Sequence, residues 1–399
     1  MAVGEASEHF NPVRGVRLSS THCGIKANGD DVVLVAFDAG TSTAGVFTQN
    51  HFAAAPVQLC RQHLQDGLPR YFIINSGNAN CAVGEAGMLD AMNCCAAVGV
   101  SAGVPPHQVL PFSTGVIGER LPADNIIEAI PTLLEGASED GWMDAARGIM
   151  TTDTRPKIAT RQSADGTFTI TGIAKGAGMI QPNMATMLAY VATDVVASTG
   201  TLEPMLTESV RRSFNRITVD SDTSTNDACM LSATGVSDVD IDADPERAEE
   251  FFALLLEVMQ ALARGLVRDG EGATKFVAVN VVNGPDTDYC LEIAYAVANS
   301  PLMKTALYAS DANWGRIVMA IGKTRVPLDI SRLDVYLGEV QLMEQGQKHP
   351  DYTEEAGSSL MAADEIEITI DLGIGDVHET VWTSDLSHEY VTINAEYRT

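Results

Sequence analysis

Six short segments of this 399-residue chain concentrate glycine, threonine, serine, asparagine and aspartate: Asn75–Asn80, Ser113–Gly118, Thr151–Thr154, Lys175–Thr186, Asp220–Asp227 and Asp269–Lys275. Such segments expose backbone N–H groups and short hydroxyls, which suit the binding of a small polar ligand or the stabilisation of an oxyanion. One of them alone is what a turn with capping side chains looks like. Six in one chain, several at the ends of apolar runs, point to a polar active site. The chain has no GxSxG elbow, no HExxH, no GxxxxGK[ST] and no strand-linked GxGxxG. Its eight histidines have no partner at metal-ligand spacing, and its seven cysteines form no CxxC pair. The run Asp220–Asp227 carries three aspartates but lacks the glycine and glutamate positions of a calcium loop, so caps and turns are expected of it. No metal site and no resident cofactor is expected.

The elements that must position these segments follow from periodicity. Apolar runs predict strands at Val32–Phe37, Tyr71–Asn75, Thr167–Ala174, Met187–Ala192, Phe276–Val282 and Glu365–Leu372. Helical patterns lie at Ala86–Val100, Asp124–Ile130, Leu202–Asn215 and Asp244–Val267. In the last, Phe251, Leu255, Met259, Leu262 and Leu266 fall on one face. A mixed α/β (α+β) protein is expected. Asp238–Pro245 looks like an acidic linker and Pro350–Ala363 like a solvated insertion, and neither marks a convincing domain boundary.

Hydrophobic residues make up 45% of the chain, enough for a sizeable core. The formal charge, 25 − 53 = −28, argues against nucleic acid and against an anionic membrane surface as partners. Residues 1–17 carry mixed charge without an apolar core, and no run approaches the ~20 apolar residues of a membrane span. Reduced thiols in a cytoplasmic protein are the expectation.

Several segments resemble, in order and over nearly the whole chain, the glutamate N-acetyltransferase / ornithine acetyltransferase family of arginine biosynthesis. They are PFSTGVIGE (111–119), MTTDTRPK (150–157), KGAGMIQPNMATMLAYVATD (175–194), SFNRITVDSDTSTND (213–227), DGEGATK (269–275), SDANWGRI (310–317) and INAEYRT (393–399). The resemblance implies an N-terminal-nucleophile-like layered sandwich shared with certain aminopeptidases. It implies self-cleavage between Ala185 and Thr186 into an α chain, 1–185, and a β chain, 186–399, associated as two of each. Thr186 would be the nucleophile, with Thr114 and Gly115 as the oxyanion hole. Substrate contacts fall on the Thr151–Thr152 pair, without choosing between the two, and on Lys175, Thr186, Glu271, Asn394 and Thr399. The substrates implied are N-acetylornithine and glutamate, and acetyl-CoA as a co-substrate is left open. The family usually has Ser where Ala177 stands and Gly where Ser221 stands.

The chemistry accords with these residue types. A threonine hydroxyl is a poor nucleophile until a neighbouring base takes its proton, and an N-terminal threonine carries such a base in its own α-amine. That amine, with an ordinary pKa near ~7.7, accepts a proton at neutral pH, but only cleavage before Thr186 frees it. The nearest alternative is an aminopeptidase on the same scaffold, in which water takes the acyl group instead of glutamate. A non-catalytic binding protein that stays uncut is a further one.

Overall fold

The computed structural model describes residues 2–4, 7–181 and 187–396. The chain divides into two compact units. The larger comprises Ala6–Asn215 and Asp222–Leu266, and the smaller Met1–Glu5, Arg216–Ser221 and Val267–Thr399.

The larger unit contains β1 (Val16–Thr21), β2 (Val32–Phe37), β3 (Ser42–Phe47), α1 (Ala55–Asp66), β4 (Tyr71–Asn78), α2 (Glu85–Ala102), β5 (Val109–Val116), α3 (Ala123–Gly136) and α4 (Trp142–Gly148). It continues with β6 (Lys157–Gln162), β7 (Thr169–Lys175), β8 (Leu188–Thr193) and α5 (Thr199–Arg211). After the chain returns from the smaller unit come β10 (Ala228–Ala233) and α6 (Pro245–Arg268), most of which lies here. Two sheets form, in the orders β1-β2-β4-β5 and β3-β10-β8-β7-β6.

The alternation of β2 explains the layering. Val33, Val35 and Phe37 enter a core shared with Ile173 of β7, Tyr190 of β8 and Met230 of β10, so the two sheets face each other. Val32 and Leu34, on the opposite side, join a second core with Cys95 and Val98 of α2 and Ile126 and Ile130 of α3. A strand covered on both faces reads as an unbroken apolar run, as β2 does. On the outer face of the second sheet, Gly172 leaves room for Val258 and Leu262 of α6, and Phe168 meets Phe251 at 6.0 Å. The whole predicted stripe from Phe251 to Leu266 is buried. The result is helix, sheet, sheet, helix, which is the layered sandwich that the resemblance implied.

The smaller unit is built on β9 (Ile217–Thr218), β11 (Phe276–Gly284), β12 (Asp334–Leu337), β13 (Val340–Glu344), β14 (Gln347–Lys348), β15 (Glu365–Asp371) and β16 (Val377–Ser384). They form one sheet in the order β14-β13-β12-β15-β11-β16-β9. Its helices are α7 (Thr287–Ala298), α8 (Pro301–Tyr308), α9 (Trp314–Gly322), α10 (Glu354–Met361) and α11 (His388–Ala395). Val279, Ile293, Val297, Ile321 and Ile368 share its core.

Several expectations change. Pro350–Ala363 is not a solvated insertion: it holds α10, capped by the Thr353 hydroxyl, with Tyr352 and Met361 buried. Asp238–Pro245 lies within the larger unit, in keeping with its marking no domain boundary, and there Asp244 accepts the N–H groups of Glu246 and Arg247 and starts α6. Asn75–Asn80 and Ser113–Gly118 are only partly loops, since β4 runs on to Asn78 and β5 to Val116. The unit boundaries lack a compositional signal because the chain crosses between units at Asn215–Arg216, Ser221–Asp222 and Leu266–Val267, the last inside α6.

Candidate active site

The extension of β4 and β5 is decided by a pair of glycines. The two strands run parallel with Gly77 opposite Gly115. Gly115 has φ +133°, and a Cβ there would lie 2.2 Å from the Gly77 carbonyl carbon. Only glycine allows that approach and that dihedral. It carries Thr114 and Gly115 to the end of the first sheet as strand residues held by a ladder.

Lys175 ends β7 and is 9% exposed. Its Nζ donates to Thr114 Oγ1 at 3.0 Å and to Thr151 Oγ1 at 2.8 Å. Of the pair Thr151–Thr152, it is Thr151 that this lysine holds. An ammonium only donates, so each hydroxyl accepts from Lys175 and keeps its own hydrogen to give elsewhere. Lys175 also stands opposite Leu188 in the β7–β8 ladder, two residues after Thr186. Thr186 and Ala185 themselves lie outside the described residues, as does Thr399.

Asp153 supports this group from below. Its Oδ2 accepts the Thr151 N–H at 3.0 Å, and its Oδ1 accepts the Gly176 N–H at 2.7 Å and the Lys157 ammonium. Burial pushes the Asp153 carboxyl up, but the Lys157 and Lys175 cations and these hydrogen bonds outweigh it and hold it well below the usual range. Asp227 is the opposite case. Burial pushes it well above the usual range against the pull of Ser224 and Lys175, and among the described residues its Oδ2 has no hydrogen-bond partner. Two buried carboxyls near one lysine are therefore shifted in opposite directions, Asp153 down and Asp227 up. Ala177 is buried at 1% exposure.

Within the smaller unit the structure brings together Glu271 and Asn394. Asn394 Nδ2 donates to Glu271 Oε2 at 2.7 Å and to the Tyr390 carbonyl at 3.0 Å. The loop carrying Glu271 is tightly held. Asp385 accepts the N–H groups of Thr274 and Lys275 and the Thr274 hydroxyl, at 2.7–2.9 Å. Ser387 Oγ donates to the Gly272 carbonyl at 2.7 Å and also caps α11. Gly272 has φ +69°, and a Cβ there would lie 2.5 Å from the Tyr390 nitrogen. Behind this loop Lys304 is buried, with Nζ on Thr383 Oγ1 at 2.9 Å and on the Ser384 carbonyl. Burial lowers its pKa to about 8, against the pull of Asp385 and Asp220.

The supporting residues Asp153, Lys157, Asp385 and Ser387 carry no signal of their own in the sequence. Asp153 and Lys157 stand four apart within MTTDTRPK, but this is not a helix, and only the fold shows that they pair. Among the described residues no group of three or more His, Cys, Asp and Glu is placed to hold a metal ion. A cavity of about 690 Å³ in the larger unit is lined by Arg14, Asp194, Asp240 and Arg247, and by none of the residues that surround Lys175.

The sequence profile of the ArgJ family matches residues 17–399. The chain belongs to the ArgJ family. It is 53% identical over 401 residues to the arginine biosynthesis bifunctional protein ArgJ of Pseudomonas syringae pv. tomato, covering 98% of both chains. It is 49% identical over 406 residues to the same-named protein of Psychrobacter arcticus, covering both in full. The crystal structure of arginine biosynthesis bifunctional protein ArgJ from Bacillus halodurans is similar with a TM-score of 0.50 at 36% identity, over 53% of this chain and 100% of that one. The protein is thus an acyltransferase of arginine biosynthesis, the family read from its sequence. Among the described residues no helix is long and apolar enough to cross a membrane.

Proposed function

We propose that this protein transfers an acetyl group from N-acetylornithine to glutamate through an ester on Thr186, after cutting itself between Ala185 and Thr186. The observation that carries this reading is the placement of Lys175. One buried ammonium holds the hydroxyls of Thr114 and Thr151 beside the strand that continues from Thr186.

In the precursor, the Thr186 hydroxyl adds to the Ala185 carbonyl carbon, the C–N bond breaks, and its proton passes to the departing nitrogen. Water then hydrolyses the ester and leaves a free α-amine on Thr186. In turnover that amine takes the hydroxyl proton as Thr186 attacks the acetyl carbonyl of N-acetylornithine. The proton goes on to the ornithine nitrogen as it leaves. Glutamate enters as a free amine, attacks the ester, and departs as N-acetylglutamate. Both steps pass through an oxyanion, which the Thr114 hydroxyl and the Gly115 N–H stabilise. Lys175, by donating to Thr114 Oγ1, makes that hydroxyl a stronger donor. It also places positive charge where a substrate carboxylate is wanted, with Thr151 beside it and Thr152 next in the chain. Glu271, oriented by Asn394, suits a cationic amine, and Thr399 completes the substrate contacts. Acyl transfer of this kind is neither redox chemistry nor metal-dependent, so no resident cofactor is required. Acetyl-CoA as an alternative acetyl donor to the same threonine would supply the second activity that the relatives' names call bifunctional. The assembly proposed is two α and two β chains in the cytoplasm.

Intact mass spectrometry of the purified protein, with an assay of ornithine release with and without glutamate, tests the reading. Two chains, the second starting at Thr186, and release that depends on glutamate are expected, and Thr186→Ala should leave one inactive chain. Release that ignores glutamate would replace the transferase with a hydrolase. An uncut chain that turns over normally would remove the nucleophile assignment.

A further inference from the structure

Asn226 makes connections that the proposed mechanism leaves unused. It is 7% exposed and lies two residues before β10. Its Nδ2 donates to the Ala79 carbonyl at 2.6 Å and to the Ser113 carbonyl at 2.9 Å. Its Oδ1 accepts the Thr225 hydroxyl at 2.7 Å. Both donors of the side-chain amide are thereby used, on two different segments. Ser113 immediately precedes Thr114. Ala79 follows Asn78, which pairs with Val116 just past the Gly77–Gly115 contact. One side chain therefore ties down both strand ends around the Thr114–Gly115 donors.

Its own backbone belongs to the other sheet. β10 runs parallel to β8 with Ala228 opposite Leu188, and the Ala228 N–H donates to the Met187 carbonyl at 2.9 Å. Asn226 thus sits on the segment that pairs with the chain just after Thr186. Near this end the facing sheets also meet through the Lys175–Thr114 hydrogen bond at 3.0 Å and through apolar contact, such as the edge of Phe112 on Tyr190 at 5.1 Å. Apolar contact is non-directional and tolerates sliding. A two-donor amide on fixed carbonyls does not, because a shift of a few tenths of an ångström lengthens both bonds.

We propose that Asn226 is a positioning residue for the acyl transfer: its amide holds Thr114 and Gly115 at a set distance from the β8–β10 strand pair that continues from Thr186. The proposal rests on the acetyl-transfer reading above. It makes Asn226 a determinant of transition-state geometry rather than of substrate binding, since it acts through Thr114 and touches no substrate.

A double-mutant cycle tests it, with Asn226→Ala, Thr114→Ala and the double variant assayed for kcat, KM, rate of chain cleavage and thermal midpoint. A misplaced donor pair should lower kcat about 10- to 100-fold. For Asn226→Ala, KM is expected to stay within about twofold and cleavage to slow in parallel with kcat. Added to Thr114→Ala, the Asn226 change should cost little more, because the donor it positions is already gone. Losses in kcat that multiply, or an Asn226→Ala enzyme that loses thermal stability but keeps its kcat, would overturn the proposal. If Asn226→Ala yields no soluble protein, the cycle is run with Asn226→Ser, which keeps one donor and is expected to show a smaller loss of the same pattern. A wild-type protein that neither cleaves nor transfers acetyl would overturn the functional reading, and the proposal with it. Normal wild-type turnover with multiplying losses would overturn only the role of Asn226.

Discussion

At the residue scale, the site depends on which groups are ionised and which hydroxyls keep a proton to give. Thr114 accepts from Lys175 and so keeps its own O–H to donate elsewhere. Thr114→Ala removes that donor and is expected to lower kcat about 100- to 1,000-fold with little change in KM, while Thr114→Ser retains most activity. Steady-state kinetics of the two variants check this. Asp153 is the buried counter-charge for Lys157 and Lys175. Asp153→Asn removes this buried counter-charge and should cost about 3–5 kcal/mol, read from urea unfolding at neutral pH. The pH dependence follows from the direction of its shift. With a folded pKa below the unfolded value of 3.8, the carboxylate's contribution is fully present above pH ~4 and is lost as pH falls toward its folded pKa. The gap between wild type and Asp153→Asn should therefore narrow as pH is lowered below ~4, and a gap that widens would contradict the assignment.

At the element scale, backbone conformation places the chemistry. The segments around Gly77 and Gly115 look like loops in sequence, since glycine is usually a strand breaker. In the structure the two glycines face each other and let β4 and β5 approach more closely than any Cβ would permit. Ser221, where the resemblance implies glycine, sits at φ +66°, in the region that favours glycine. That need for positive φ was legible from the resemblance, and the structure bears it out. Ser221→Gly is expected to relieve the strain and stabilise the protein by about 0.5–1 kcal/mol after the added flexibility of the unfolded chain is counted. A rise of a few degrees in thermal midpoint checks it, whereas a fall would mean that the serine side chain offsets its own strain. The long stripe of α6 was legible because burial on one face imposes the 3.6 period. α10 was not, because eight residues rich in Glu, Gly and Ser show no period, and it is held by the Thr353 cap and by burial of Met361.

At the scale of the whole molecule, the net charge of −28 is a self-repulsion that the folded state concentrates. Salt screens it, with a Debye length of about 30 Å at 0.01 M and about 10 Å at 0.1 M. Raising sodium chloride from about 0.01 M to 0.3 M, a modest and weakly excluded salt, should therefore raise the thermal midpoint. A fall would show that attractive pairs such as Arg247 with Asp165 and Glu250 outweigh the general repulsion.

Composition and periodicity by themselves determined the class: a mixed α/β chain with an apolar core, an acidic surface, and strands and helices at most of the expected places. The ordered run of motifs determined the family, because those segments recur in sequence whatever folds around them. Which threonine of the Thr151–Thr152 pair Lys175 holds, that the Asp153 and Asp227 carboxyls are shifted in opposite directions, and that Asn394 meets Glu271 were decided only by tertiary structure. These pairings join residues 23 to 123 positions apart, and hydrogen-bond geometry and desolvation exist only once the fold has brought such residues within about 3 Å of each other.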